Sequence, residues 1–168
     1  MPQVRRWTAA EVPVPDENTF TASVRRLLKA LPRGSEFAWR FESGGVRFET
    51  WTVPQARRGR GTELLARILA EADRSGLACS LDADPTLEPG DPSLFDLVRW
   101  YRRFGFEAVS LDSNEWVRMT RDPRPWRGGH GAVLSDYACV KATSDLTPDG
   151  FASLLLRLSA RTHGGAGP

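Results

Sequence analysis

The chain has 168 residues, of which 40% are hydrophobic and 26% charged, an ordinary composition for one globular domain. This composition excludes collagen-like, disordered and disulfide-rich proteins, and every apolar run is shorter than the roughly 18–20 residues of a membrane-spanning helix. The formal net charge of +2 is too small to predict nucleic acid as the default partner. Cys79 and Cys139 lie far apart without metal-ligand spacing, a usage typical of reduced thiols in a cytoplasmic protein, and the polar first residues predict no secretory signal.

Apolar periodicity and turn residues predict strands and helices that alternate along the chain. In the first half, the predicted elements are a strand at 3–9, a helix at 17–31, strands at 36–42 and 46–53, and a helix at 62–74. In the second half, they are a strand at 77–83, a helix capped by Ser93 and running to about Phe104, strands at 106–111 and 115–120, a strand at 134–142 and a helix at 147–161. This interleaving predicts an α/β (α+β) fold whose first half is largely antiparallel.

A turn rich in glycine and arginine separates the predicted strand at 46–53 from the helix at 62–74. Its residues are Arg57, Arg58, Gly59, Arg60, Gly61 and Thr62. Unpaired N–H groups at a helix N-terminus, together with the positive end of the helix dipole, bind phosphate, and arginines add bidentate contacts. The alternative is a solvated basic turn that only caps the helix.

A second motif lies at the end of the predicted third helix, where Trp100-Tyr101 is followed after three residues by Gly105-Phe106. In this order, about 40 residues apart, the two motifs resemble the GNAT superfamily of acyl-CoA-dependent N-acyltransferases. The resemblance covers residues 46–121 well and 1–45 in outline, and the closing strand text 116–121 is also similar. The family usually has arginine or glutamine where this turn has Ala56, so the turn is one residue short.

The resemblance implies a GNAT-like mixed central sheet flanked by helices. It also implies that acetyl-CoA is the acyl donor and that no metal takes part. An acetyl group would pass to a primary amine of a small molecule or a protein by direct attack in a ternary complex. The segment 57–62 would hold the pyrophosphate, and the backbone of Thr52 and Val53 would bind the pantetheine arm. Tyr101 matches the family's tyrosine and would be the general acid.

The general base has several candidates. Glu49 comes first, because the resemblance implies a carboxylate in the strand before the turn. Asp84 and then Asp82 follow, since they lie at the end of the neighbouring predicted strand, and Glu42 is a further candidate. Strand carboxylates also often simply face solvent, so each candidate has that structural alternative.

The resemblance divides the chain into a GNAT-like acyltransferase domain at 1–121 and a C-terminal extension of unknown role at 122–168. The last predicted helix either packs on its own sheet or forms a dimer arm, so a homodimer is one alternative. We expect no membrane partner.

Two other functions remain open at this point. One is a non-catalytic acyl-CoA-binding or protein-interaction module on the same fold, which the shortened turn favours. The other is nucleic-acid binding through arginine clusters at 57–60, 99–103 and 118–127, which the nearly neutral charge disfavours.

Overall fold

The computed structural model describes residues 14–52, 60–85, 89–112, 115–125 and 146–163. The helices in these ranges are α1 (Glu17–Lys29), α2 (Arg60–Arg74), α3 (Leu94–Arg103) and α4 (Pro148–His163). The strands are β1 (Glu36–Glu42), β2 (Gly45–Thr52), β3 (Ala78–Ala83), β4 (Glu107–Asp112) and β5 (Trp116–Arg121). Within these ranges, none of the helices combines the length and the apolar character that a membrane span requires. The predicted strands at 3–9 and 134–142 fall outside the described residues.

The five described strands form one mixed sheet in the order β1-β2-β3-β5-β4, flanked by the four described helices. The predicted α/β (α+β) fold class is therefore confirmed. β1 pairs with β2 in antiparallel fashion, and so does β4 with β5. The chain divides into two compact units, and the division falls inside β3, between Cys79 and Ser80.

The first unit has its core where α1 packs against α2 and β1. Phe20 on α1 is completely buried, and its ring meets the rings of Trp39 and Phe41 edge to face at 6.0 and 6.1 Å. Edge-to-face packing suits the quadrupoles of aromatic rings and adds to the hydrophobic gain from burying them. The face of β1 that carries Trp39 and Phe41 is therefore the one on which α1 packs.

Residues 122–125 belong to the first unit as well. The buried carboxylate of Asp73 on α2 accepts a hydrogen bond of 2.8 Å from the backbone N–H of Arg124. The beginning of the predicted C-terminal extension is thus bonded to α2, while the predicted domain boundary after residue 121 stays a prediction.

The second unit includes the last helix, which packs on β4 of its own chain. The Phe151 ring on α4 lies 5.3 Å from the Phe95 ring on α3, and Leu158 is fully buried. Leu156, by contrast, is 73% exposed. The structure thus shows this helix packed against its own chain, and the predicted homodimer stays a prediction.

The start of α1 is held by Asp16, its N-cap. The Asp16 carboxylate accepts hydrogen bonds from the hydroxyl and the backbone N–H of Thr19, and these bonds lower the pKa of Asp16 below its ordinary value of 3.8. The backbone N–H of Asp16 donates to the carbonyl of Ser75 at 2.9 Å. One residue therefore caps α1 and joins its start to the end of α2.

We predict that Asp16→Asn lowers the melting temperature at neutral pH and that the loss disappears in acid. A carboxyl whose pKa is lower in the folded than in the unfolded state stabilises the fold above the unfolded value of about 3.8. That stabilisation is lost as the pH falls through the folded value. Thermal unfolding of both proteins between pH 7 and pH 2 measures the difference, and a difference that stays constant over this range would contradict the prediction.

Candidate functional site

The predicted phosphate-binding turn connects β2 to α2 in the first unit. β2 ends at Thr52, and α2 begins at Arg60, two residues earlier than the apolar periodicity predicts. Gly61 and Thr62 therefore have helical backbone in the first turn, where N–H groups have no intrahelical acceptor. Four of the predicted cofactor-binding residues lie outside the described residues, and their roles stay predictions: Val53, Arg57, Arg58 and Gly59.

Packing among the described residues does not require a glycine at position 61. A Cβ placed there would have the Cη2 atom of Trp51 as its nearest neighbour, at the ordinary van der Waals distance of 3.8 Å. Glycine in a helix costs about 0.5–1 kcal/mol relative to alanine, because it loses more backbone entropy on folding. No contact with the described residues therefore explains the glycine, whereas close approach of a ligand to the backbone would explain it.

Trp51 is a residue of this site that the sequence analysis missed. Apolar alternation within the strand is its only signal in the sequence, and that pattern is typical of a core residue. In the structure Trp51 is half-buried near the end of β2, and its ring reaches Gly61. It places an aromatic surface beside the first turn of α2.

Glu49, the first candidate base, is the extra residue of a β-bulge. The register pairs Ala38 with Thr50 and Trp39 with Phe48, so Glu49 has no residue opposite it in the backbone pairing with β1. Bulges re-aim side chains and are frequent next to active sites. The Glu49 carboxylate is half-exposed and lies 3.4 Å from the Arg40 guanidinium.

Arg40 also pairs with Glu42, a further candidate base, at 3.3 Å. Two candidate carboxylates of the first unit therefore share one cation.

The other two candidate bases belong to the second unit, at the end of β3. Asp84 is exposed just beyond the strand. Asp82 is half-buried, and its Oδ1 atom accepts a hydrogen bond of 3.0 Å from the Arg118 Nε on β5. Because Asp82 already accepts a hydrogen bond from Arg118, the exposed Asp84 is the more accessible of these two candidate bases.

Tyr101, the candidate general acid, lies in the last turn of α3. The N–H of Phe106 donates to the Tyr101 carbonyl at 3.3 Å, and the N–H of Gly105 donates to the Arg102 carbonyl at 3.0 Å. This pair of bonds is a Schellman motif, with Gly105 in the left-handed region at φ +87°. The rings of Tyr101 and Phe106 meet edge to face at 5.8 Å, and Tyr101 is only 7% exposed.

Arg121 on β5 is hydrogen-bonded to the same end of α3. It is only 2% exposed, and its Nε donates a hydrogen bond of 2.9 Å to the carbonyl of Phe104, the C-cap of α3. A helix C-terminus carries partial negative charge, which favours a cation there. The position of Tyr101 is therefore set by its own helix cap and by β5.

A groove of about 220 Å³ lies between α1 and α2 in the first unit. Leu27, Leu31 and Leu64 give it an apolar wall, and the Glu63–Arg67 ion pair lies at its edge. Its volume is below the roughly 300–1,000 Å³ of drug-sized ligand sites, so it fits only a small group.

In the part of the chain that the structure describes, no three or more His, Cys, Asp or Glu residues lie close enough together to hold a metal ion. Cys79 is a buried thiol whose Sγ lies 3.9 Å from the Leu77 carbonyl oxygen, while Cys139 falls outside the described ranges.

Comparison with known proteins finds no matching family model, no matching curated protein and no matching solved structure.

We predict that Gly105→Ala lowers the free energy of unfolding by about 1–2 kcal/mol, because a Cβ is strained in the left-handed region. For a chain of this size that is a loss of roughly 2–8 °C in melting temperature. Gly105→Asn should lose less, because asparagine tolerates this conformation better. Gly61→Ala is the matched control and should not destabilise the protein; an equal loss in both alanine variants would contradict the assignment.

Proposed function

We propose that the protein is an N-acetyltransferase that moves an acetyl group from acetyl-CoA to a primary amine, and that it works in the cytoplasm. The observation that carries the proposal is the first turn of α2. It follows a strand and an arginine-rich segment of the sequence, and it contains a glycine that packing among the described residues does not require. A phosphate that approaches the backbone at a helix N-terminus accounts for such a glycine.

In this proposal the cofactor lies along one continuous piece of the chain. The turn from Arg57 to Thr62 binds the pyrophosphate. The backbone of Thr52 and Val53, at the end of β2 and just beyond it, binds the pantetheine arm as an added strand would. The half-buried ring of Trp51 lies next to Gly61 in the first turn of α2.

The chemistry is direct transfer. The amine nitrogen attacks the thioester carbonyl carbon, the C–S bond breaks, and the electron pair leaves on sulfur. Tyr101 gives its phenolic proton to the departing thiolate, and a carboxylate takes the proton that the amine loses. No covalent enzyme intermediate is needed.

Two carboxylates compete for the role of base. The bulge favours Glu49, because a bulge redirects the side chain of its extra residue away from the regular strand pattern. Asp84 is the alternative, because it is exposed and Asp82 next to it is bonded to Arg118.

Nucleic-acid binding receives less support. Arg99, Arg102 and Arg103 on α3 are half-buried, whereas an electrostatic nucleic-acid site needs exposed basic side chains.

Thermal unfolding with and without acetyl-CoA tests the cofactor site, and it needs no acceptor. We predict that ligand at about 100 times its dissociation constant adds roughly 2.7 kcal/mol and raises the melting temperature by several degrees. Gly61→Ala should keep or slightly raise the melting temperature of the free protein but abolish the shift.

The triple variant Arg57/Arg58/Arg60→Ala should also lose the shift. Its matched control is Arg25/Arg26/Arg33→Ala, which removes the same charge from exposed positions of the α1 region and should keep it. Absence of any shift in the wild type at millimolar acetyl-CoA would overturn the proposal and favour a protein-interaction module.

We predict that Tyr101→Phe lowers the rate of thiol release about 100-fold or more, which is the usual contribution of a general acid. The acetyl-CoA shift and the stability should stay nearly unchanged, because phenylalanine keeps the ring that packs on Phe106. Tyr137→Phe, which alters the chain's other tyrosine, is the control. Full activity in Tyr101→Phe would make Tyr101 a packing residue only.

A further inference from the structure

Arg118 on β5 is held in place from two sides within the second unit. Its Nε donates a hydrogen bond of 3.0 Å to Asp82 Oδ1 on β3, 36 residues earlier in the chain. Its guanidinium carbon lies 5.7 Å from the centroid of the Trp116 ring, within the range of a cation–π interaction. The side chain is nevertheless 35% exposed, so a fixed guanidinium faces solvent.

The terminal nitrogens of Arg118 are its unused donors. Arg40, Arg67 and Arg74 reach their carboxylates through a terminal nitrogen, whereas Arg118 reaches Asp82 through Nε. Across the described part of the chain, neither Nη1 nor Nη2 of Arg118 has a hydrogen bond or an ion pair. The outer edge of the guanidinium, with four N–H donors, therefore remains open to a ligand.

We propose that Arg118 binds a carboxylate group of the acceptor, so that the acceptor is an amine that also carries a carboxylate. A planar carboxylate matches the donors of a guanidinium in two parallel, charge-assisted hydrogen bonds. Asp82 and Trp116 already fix the guanidinium, so little side-chain entropy is lost when the ligand binds. The assignment of the ligand as acceptor rests on the proposed function, whereas the carboxylate site itself does not.

The charge of the site favours a carboxylate over a phosphate. The Asp82 carboxylate lies against Arg118 and offsets its positive charge, so the pair as a whole is neutral. A ligand with a single negative charge meets less repulsion from Asp82 than a doubly charged phosphate does.

Nuclear magnetic resonance of the arginine Nε–H groups in the full chain tests the site without any turnover. The Arg118 signal is identified by its loss in Arg118→Gln. At constant ionic strength, acetate should shift this signal in a saturable way, and inorganic phosphate should do so more weakly. The signal of Arg74, a half-exposed arginine paired with Glu71, should not move and serves as the control.

Two results of that titration would overturn the carboxylate site: an unchanged Arg118 signal in acetate, or a stronger response to phosphate. Arg118→Lys is a second variant for the case that Arg118→Gln does not fold, because lysine keeps the positive charge beside Asp82. It should stay folded, as thermal unfolding would show, and its remaining arginine signals should not respond to acetate.

Thiol release with two matched amines, 3-aminopropanoic acid and propylamine, tests the acceptor class. The wild type should acetylate the amine with the carboxylate with a kcat/KM about 10- to 100-fold higher, the usual effect of a charged hydrogen-bond pair. Arg118→Gln should remove that preference, mainly through a higher KM for 3-aminopropanoic acid. Arg74→Gln should behave as the wild type.

The two experiments separate the two proposals. Acetylation without a preference for the carboxylate would overturn the role of Arg118 and leave the proposed function standing. Failure to acetylate any amine, combined with a saturable acetate shift at Arg118, would overturn the proposed function and keep the carboxylate site.

Discussion

A buried guanidinium at the end of α3 organises the second unit. Taking a charged group out of water costs several kcal/mol unless hydrogen bonds and opposite charge compensate it. Arg121 meets that requirement at the C-terminus of α3, where its Nε donates to the Phe104 carbonyl. Because the bond joins β5 to the helix end that leads into β4, the ends of three elements are held together. Tyr101 lies three residues before that carbonyl, so its position depends on the same bond.

The motif that suggested an enzyme family therefore has a stereochemical basis of its own. A Schellman motif needs a glycine at C′, and it commonly adds an apolar contact between C″ and C3. Gly105, Phe106 and Tyr101 occupy those three positions. The ring of Tyr101 packs against Phe106, so its hydroxyl group is the part that could take part in catalysis. This is why the phenylalanine substitution distinguishes the two roles so directly.

Local signals in the sequence predicted most of the described elements to within a few residues. Ser93 caps α3 as expected, because its hydroxyl accepts from the Asp96 N–H while the Asp96 carboxylate accepts in return. The start of α2 was placed two residues late, since its first turn is polar and adds nothing to the apolar period. The bulge at Glu49 has no signature that alternation could reveal. The Asp82–Arg118 pair joins residues 36 apart, and such a contact depends on strand order, which local patterns do not contain.

The register of β4 affects how readily its edge could pair with a strand of another copy of the chain. β4 lies at one edge of the described sheet, and an edge strand offers unpaired backbone groups to any passing chain. Its pairing skips Val109, which bulges out, and charged Glu107 and Asp112 stand at its two ends. A bent, charged edge is a poor template for a second strand. The same irregularity that exposes an apolar side chain thus makes this edge of the described sheet a poor template for intermolecular β-pairing.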